Sequence, residues 1–128
     1  MVELVNEKKQ IVFGKDSVVI QKYIAGIKGG RALDATGVTA DVIEAGHVII
    51  TDGKGVYKPM PVSGSAYSSL PESHSFVGIL VSSISTKNPA AAIMTIGQVN
   101  EAALPFALPE GFKAACPNIQ FIKDEEVK

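Results

Sequence analysis

The stretch His47-Val48-Ile49-Ile50-Thr51, followed at once by Asp52-Gly53-Lys54-Gly55, constrains the fold more than any other part of the chain. Val, Ile and Thr branch at Cβ, which stiffens χ1 and suits a pleated strand better than a helix. Asp-Gly supplies the positive φ angles that tight hairpin turns require. The chain is therefore expected to double back here as an antiparallel pair. The returning segment, Val56-Tyr57-Lys58-Pro59-Met60-Pro61-Val62, alternates apolar with other residues. Its two prolines cannot donate to a ladder, which predicts a strand at a sheet edge.

Similar short signals run along the rest of the chain. Thr39 to Ile43 reads as a strand, and Glu44-Ala45-Gly46 as a turn. Phe76-Val77-Gly78-Ile79-Leu80-Val81 is almost continuously apolar and predicts a central strand covered on both faces. Lys87-Asn88-Pro89 makes a turn, and Ala90-Ala91-Ala92-Ile93-Met94-Thr95-Ile96 the next strand, paired with the one before. Asn100 is a helix N-cap with Glu101 in the first turn, and Pro105 stops that helix almost at once. A second short helix is expected over residues 109–116, before Pro117, and Asn118-Ile119-Gln120-Phe121-Ile122 is a closing strand. Residues 63–75 are Ser-rich and loop-like, of a length that often touches something.

The first 37 residues are less regular. Ile11-Val12-Phe13 and Val18-Val19-Ile20 are short strand-forming runs, separated by the turn-like Gly14-Lys15-Asp16-Ser17. Gly26-Ile27-Lys28-Gly29-Gly30 is too rich in glycine to stay in a regular element, and reads as a hinge. It lacks the spacing and following Lys-Ser/Thr of a phosphate loop. The expected architecture is mainly β: a small, compact barrel- or sandwich-like body over 38–128, with one or two short helices and an extended N-terminal arm over 1–37.

Composition narrows the function classes. A chain of 128 residues supports one core without staples. Its 46% hydrophobic content against 20% charged fits either a good core or surface buried against partner chains, since obligate interfaces resemble a core cut in half; apolar residues outside well-formed periodic segments favour the second. Twelve basic and thirteen acidic residues give a net charge of −1, with no basic stripe to neutralise phosphates, so nucleic acid is not an expected partner. No apolar run approaches the ~20 residues of a membrane span, and the start lacks the basic-then-apolar order of a signal peptide. Cys116 is alone, which rules out an internal disulfide or a multi-cysteine metal site.

Catalysis would need a nucleophile, a base and a group to orient that base. The two candidate bases are His47, an ordinary strand histidine by its neighbours, and His74, in the Ser-rich loop beside Ser73 and Ser75. Their spacing makes no recognisable zinc site. The acidic tail Asp124-Glu125-Glu126 has no calcium-loop spacing and reads as a solvated end. The expectation is a protein without enzymatic activity, cofactor or metal.

Four pieces, in order, resemble the head decoration (capsid-stabilising) proteins of tailed phages, the lambda-like D family. They are Val42-Ile43-Glu44-Ala45-Gly46, Gly55-Val56-Tyr57-Lys58-Pro59, Val77-Gly78-Ile79-Leu80 and, above all, Gly97-Gln98-Val99-Asn100-Glu101-Ala102-Ala103-Leu104. The resemblance covers about two-thirds of the chain; residues 1–37 and the Lys-containing, acidic C-terminus depart from it. It implies a homotrimer on the outside of the expanded capsid, clamping major capsid protein subunits, made in the host cytoplasm and carried in the virion. It further implies a capsid-binding arm, here Ile11, Val12, Phe13, Val18, Val19 and Ile20, and a trimer contact around Val99, Asn100, Glu101 and Leu104. Two other readings compete. One is a head-fibre or other virion appendage protein. The other is a small ligand-binding β-barrel or enzyme, with the Ser-rich loop as a lid over His74, Tyr67 and carboxylates.

Overall fold

In the computed structural model, which describes residues 18–27 and 31–122, short apolar runs pair into one six-stranded sheet and three two-stranded ones. The strands are β1 (Ile20–Gly26), β2 (Arg31–Ala32), β3 (Val42–Ile43), β4 (Val48–Thr51), β5 (Tyr57–Pro59), β6 (Val62–Ser63), β7 (Ala66–Tyr67), β8 (Ser75–Leu80), β9 (Ile84–Ser85), β10 (Ala90–Ala91), β11 (Ile93–Asn100) and β12 (Ile119–Ile122). A 3-10 turn (Glu101–Ala103) and the one-turn helix α1 (Phe112–Ala115) lie between β11 and β12. The protein is thus mainly β. The main sheet is open, in the order β1-β11-β8-β4-β5, rather than closed into a barrel.

The hairpin signal forms as expected, with a longer loop. Thr51 pairs with Tyr57, and Asp52 N–H donates to the Val56 carbonyl at 3.3 Å. The Asp52 carboxylate accepts from Lys54 N–H at 2.7 Å and Val56 N–H at 3.3 Å, while Gly53 and Gly55 take φ of 80° and 98°. β5, with Pro59, is an edge strand. β8 is central, between β11 and β4.

Burial on both faces follows from alternation. Val48 and Ile50 face one core, with Met94, Val99 and Phe112; Ile49 faces a second, with Leu80 and Ile93. The β4/β8 register slips between Ile49↔Gly78 and Ile50↔Phe76. This bulge puts Phe76 and Ile79, three apart in sequence, against the same core. Phe112 of α1 is fully buried in that core, edge-on to Phe76 at 5.3 Å and to Phe121 at 6.0 Å. Burying a side chain of this size contributes about 2–3 kcal/mol.

Several expectations change in detail: the strand expected over 39–43 shortens to β3, and the one expected over 56–62 divides into β5 and β6. Residues 90–96 are not one strand: Ala90 and Ala91 pair with β2, and β11 begins at Ile93 and runs on to Asn100. The run Val18-Val19-Ile20 is not a strand either, because Val18 and Val19 have helical backbone and only Ile20 opens β1. β1 then pairs antiparallel along β11, from Ile20↔Val99 to Gly26↔Met94. Residues 20–26 of the segment expected as an arm therefore lie in the main sheet, and Gly26 ends a strand that its neighbour glycines do not prevent.

Candidate functional site

β1 is the edge of the main sheet. One flank is paired along β11, and no strand meets the other among the described residues. Tyr23 and Ile24, in the middle of β1, are 51% and 56% exposed, the two most exposed large apolar side chains described. An unpaired row of N–H and C=O groups beside apolar side chains is a template for strand addition. Three register irregularities along the β1/β11 ladder twist this edge, and exposed Lys22 charges it. Both features discourage indiscriminate pairing.

The residues expected to bind a capsid are distributed unevenly over this picture. Ile11, Val12 and Phe13 lie outside the described residues. Val18 is half-buried, Val19 is 2% exposed within the core, and Ile20 packs against that core. Val19 is thus spent on the protein's own interior. The expected trimer contact divides in the same way. Val99 and Asn100 are completely buried, whereas Glu101 and Leu104 are partly exposed. Asn100 caps the 3-10 turn, accepting from Ala102 N–H at 3.2 Å, and Leu104 ends it just before Pro105. Glu101 meets Lys113 of α1 at 3.1 Å, an exposed pair that contributes little to stability. Tyr23 and Ile24 were not singled out by the sequence. The available signal was Tyr-Ile within a segment of strand-forming residues, diluted by Gln21 and Lys22.

No protein-family model, curated protein or solved structure matches this chain.

The histidines stand in different settings. His74 is half-exposed in the loop, with Nδ1 2.8 Å from the Glu72 carbonyl. His47, just before β4, is buried: Nε2 lies 2.9 Å from the Met60 carbonyl, and Tyr67 and Phe106 meet its ring at near right angles, centroids 5.2 and 5.8 Å away. Burial pushes the His47 pKa below its ordinary value, against the opposing pull of the Met60 carbonyl. Burial also raises the Tyr67 phenol, whose oxygen accepts the Val48 N–H at 3.0 Å, and raises the Cys116 thiol. Among the described residues no three His, Cys, Asp or Glu groups cluster.

A cavity of about 430 Å³ opens beside His47, walled by residues 34–44 on one side and by Met60, Val62 and Phe106 on the other. Neither His74 nor Tyr67, expected to line a pocket under a Ser-rich lid, lines this cavity, to which that loop contributes only Gly64. Part of that loop is instead a small hairpin, β6 pairing with β7 through Val62↔Tyr67.

Proposed function

We propose that the chain is a structural virion protein that binds the outside of an expanded phage capsid as a homotrimer, with β1 as its principal contact. The observation that carries the reading is the outer flank of β1, which no strand meets among the described residues, with Tyr23 and Ile24 exposed upon it. The order of pieces that resembles decoration proteins adds support, as does the fit of residues 97–104 to a strand that exits into a capped turn. Strand addition supplies hydrogen bonds from the backbone, and alternate side chains supply specificity. Three such edges on one trimer raise the effective concentration of each and multiply weak contacts by orders of magnitude. The partner is the major capsid protein, and no catalytic step is involved.

The test is binding of purified protein to expanded heads assembled from the accompanying major capsid protein. Ile24→Lys puts a charge on an already exposed position, so the fold is retained while strand addition is opposed. Saturable binding by the wild type and its loss in the variant are expected, with light scattering giving a trimer for both. Undiminished binding by Ile24→Lys removes β1 as the contact, and a strictly monomeric wild type at high concentration counts against decoration altogether.

A further inference from the structure

The cavity beside His47 plays no part in the edge contact, and its chemistry is specific. Its floor is apolar and sealed: Ile43 and Met60 are 3% and 2% exposed, and the Phe106 ring stands across the imidazole. The one polar side chain in that floor is His47. Its Nε2 faces a backbone carbonyl, which can only accept, so Nε2 carries the proton in the neutral ring and Nδ1 keeps a lone pair. No buried side-chain nitrogen or oxygen among the described residues lacks a partner, and the bond to Met60 is the ring's hydrogen bond within the protein. Nδ1 is therefore accessible, on a ring that lines the cavity.

We propose that this cavity binds a small, neutral aromatic molecule carrying one N–H or O–H donor, of the indole or phenol class, with the donor on His47 Nδ1. An acceptor at the end of an apolar floor selects a ligand with one donor and an otherwise apolar body. Phe106 offers a ring for edge or offset stacking, and the Met60 thioether a polarizable contact of the kind that aromatic rings favour. A charged ligand is disfavoured, because the mouth carries Asp34 and Glu44 against Lys58 and the floor has no counter-charge. The volume of about 430 Å³ lies within the range of small-molecule sites.

The chain contains no Trp, so indole emission can be followed without an indole of the protein's own. Indole anisotropy is expected to rise to saturation as protein is added. N-methylindole, the same ring without its donor, should bind about ten-fold more weakly, because it leaves Nδ1 unpaired. Val62→Phe, at an exposed position on the cavity wall, should narrow the cavity and weaken indole binding about ten-fold. His47→Phe keeps a ring but removes the acceptor, and should abolish the preference for indole; should that variant fail to fold, the first three measurements decide. The proposal is overturned by any of three results: no saturable rise with indole, equal affinities for indole and N-methylindole, or unchanged indole binding in Val62→Phe. Capsid binding is a separate property and stands or falls on its own assay.

Discussion

Replacing Gly97 by Ala adds one methyl group to the middle of β11, where two opposing effects can be weighed. The backbone of Gly97 does not lie at positive φ, so Ala can adopt it. By reducing the freedom of the unfolded chain, the substitution would stabilise by about 0.4–1 kcal/mol if the methyl had room. It has none. The added Cβ would overlap the Lys22 carbonyl oxygen of β1 and the Met94 sulfur, and would stand 3.1 Å from Met94 Cε. Met94 is flexible but completely buried, so its thioether has little space to yield. The Lys22 oxygen is backbone, and moving it means moving the edge strand. Overpacking of this kind costs about 1–3 kcal/mol, which exceeds the entropic gain in most of its range. The expected net is a loss of about 1–2 kcal/mol, or roughly 3–8 °C in Tm for a domain of this size. Urea denaturation measures the loss, and amide exchange should locate it, with the β1 ladder losing protection before β4 and β8. A variant as stable as wild type, or exchange that rises evenly over the whole sheet, would refute the close approach.

Tyr67→Phe removes the oxygen that accepts the N–H of fully buried Val48. An orphaned buried donor costs about 1–3 kcal/mol, which urea denaturation should register without a change in m-value. Stability should also fall as the pH drops below 6.5. His47 has a folded pKa below its unfolded value, so the unfolded chain binds more protons in that window and stability rises with pH. Asp34, its pKa lowered by the side-chain hydrogen bond with Thr36, and Asp52, lowered by the backbone N–H of Lys54, act from about pH 5 downward, below the window of His47. Replacing His47 with Gln should flatten the slope just below pH 6.5, and an equally steep profile in that variant would mean that another group titrates.

Much of the fold was legible because it is written locally. The Asp52-Gly53 turn, Pro59 on an edge strand, the doubly covered β8 and the Asn100 cap each follow from a few adjacent residues and their φ, χ or hydrogen-bond preferences. What escaped depends on distant partners. β12 returns parallel to β11, through Gly97↔Ile119 to Asn100↔Ile122, after α1 seats Phe112 in the core, and no signal in residues 109–122 states it. Likewise β1 is a strand because β11 offers it a flank, although Val18-Val19-Ile20 advertised a strand two residues too early. The cavity was illegible for the same reason. His47 acquires its setting from Met60, Tyr67 and Phe106, which lie 13, 20 and 59 positions away.

The stretch with the most distinctive sequence is also among the least available to a partner. β11 spends one flank on β1 and the other on β8, through Ile93 and Met94, and on β12, through residues 97–100. Its side chains are committed as well: Met94 and Val99 to the core, Asn100 to the cap, and Gly97 to the space that Met94 and Lys22 occupy. On that side of the sheet, the first backbone groups left to pair among the described residues lie one strand further out, on β1. A partner that extends this sheet therefore reads β1, and residues 97–100 influence it only by fixing where β1 lies. A substitution such as Gly97→Ala should then weaken partner binding in proportion to the protection it removes from β1. Ile24→Lys should weaken binding with no such loss. The two variants together separate a residue that positions the edge from one that touches what binds there.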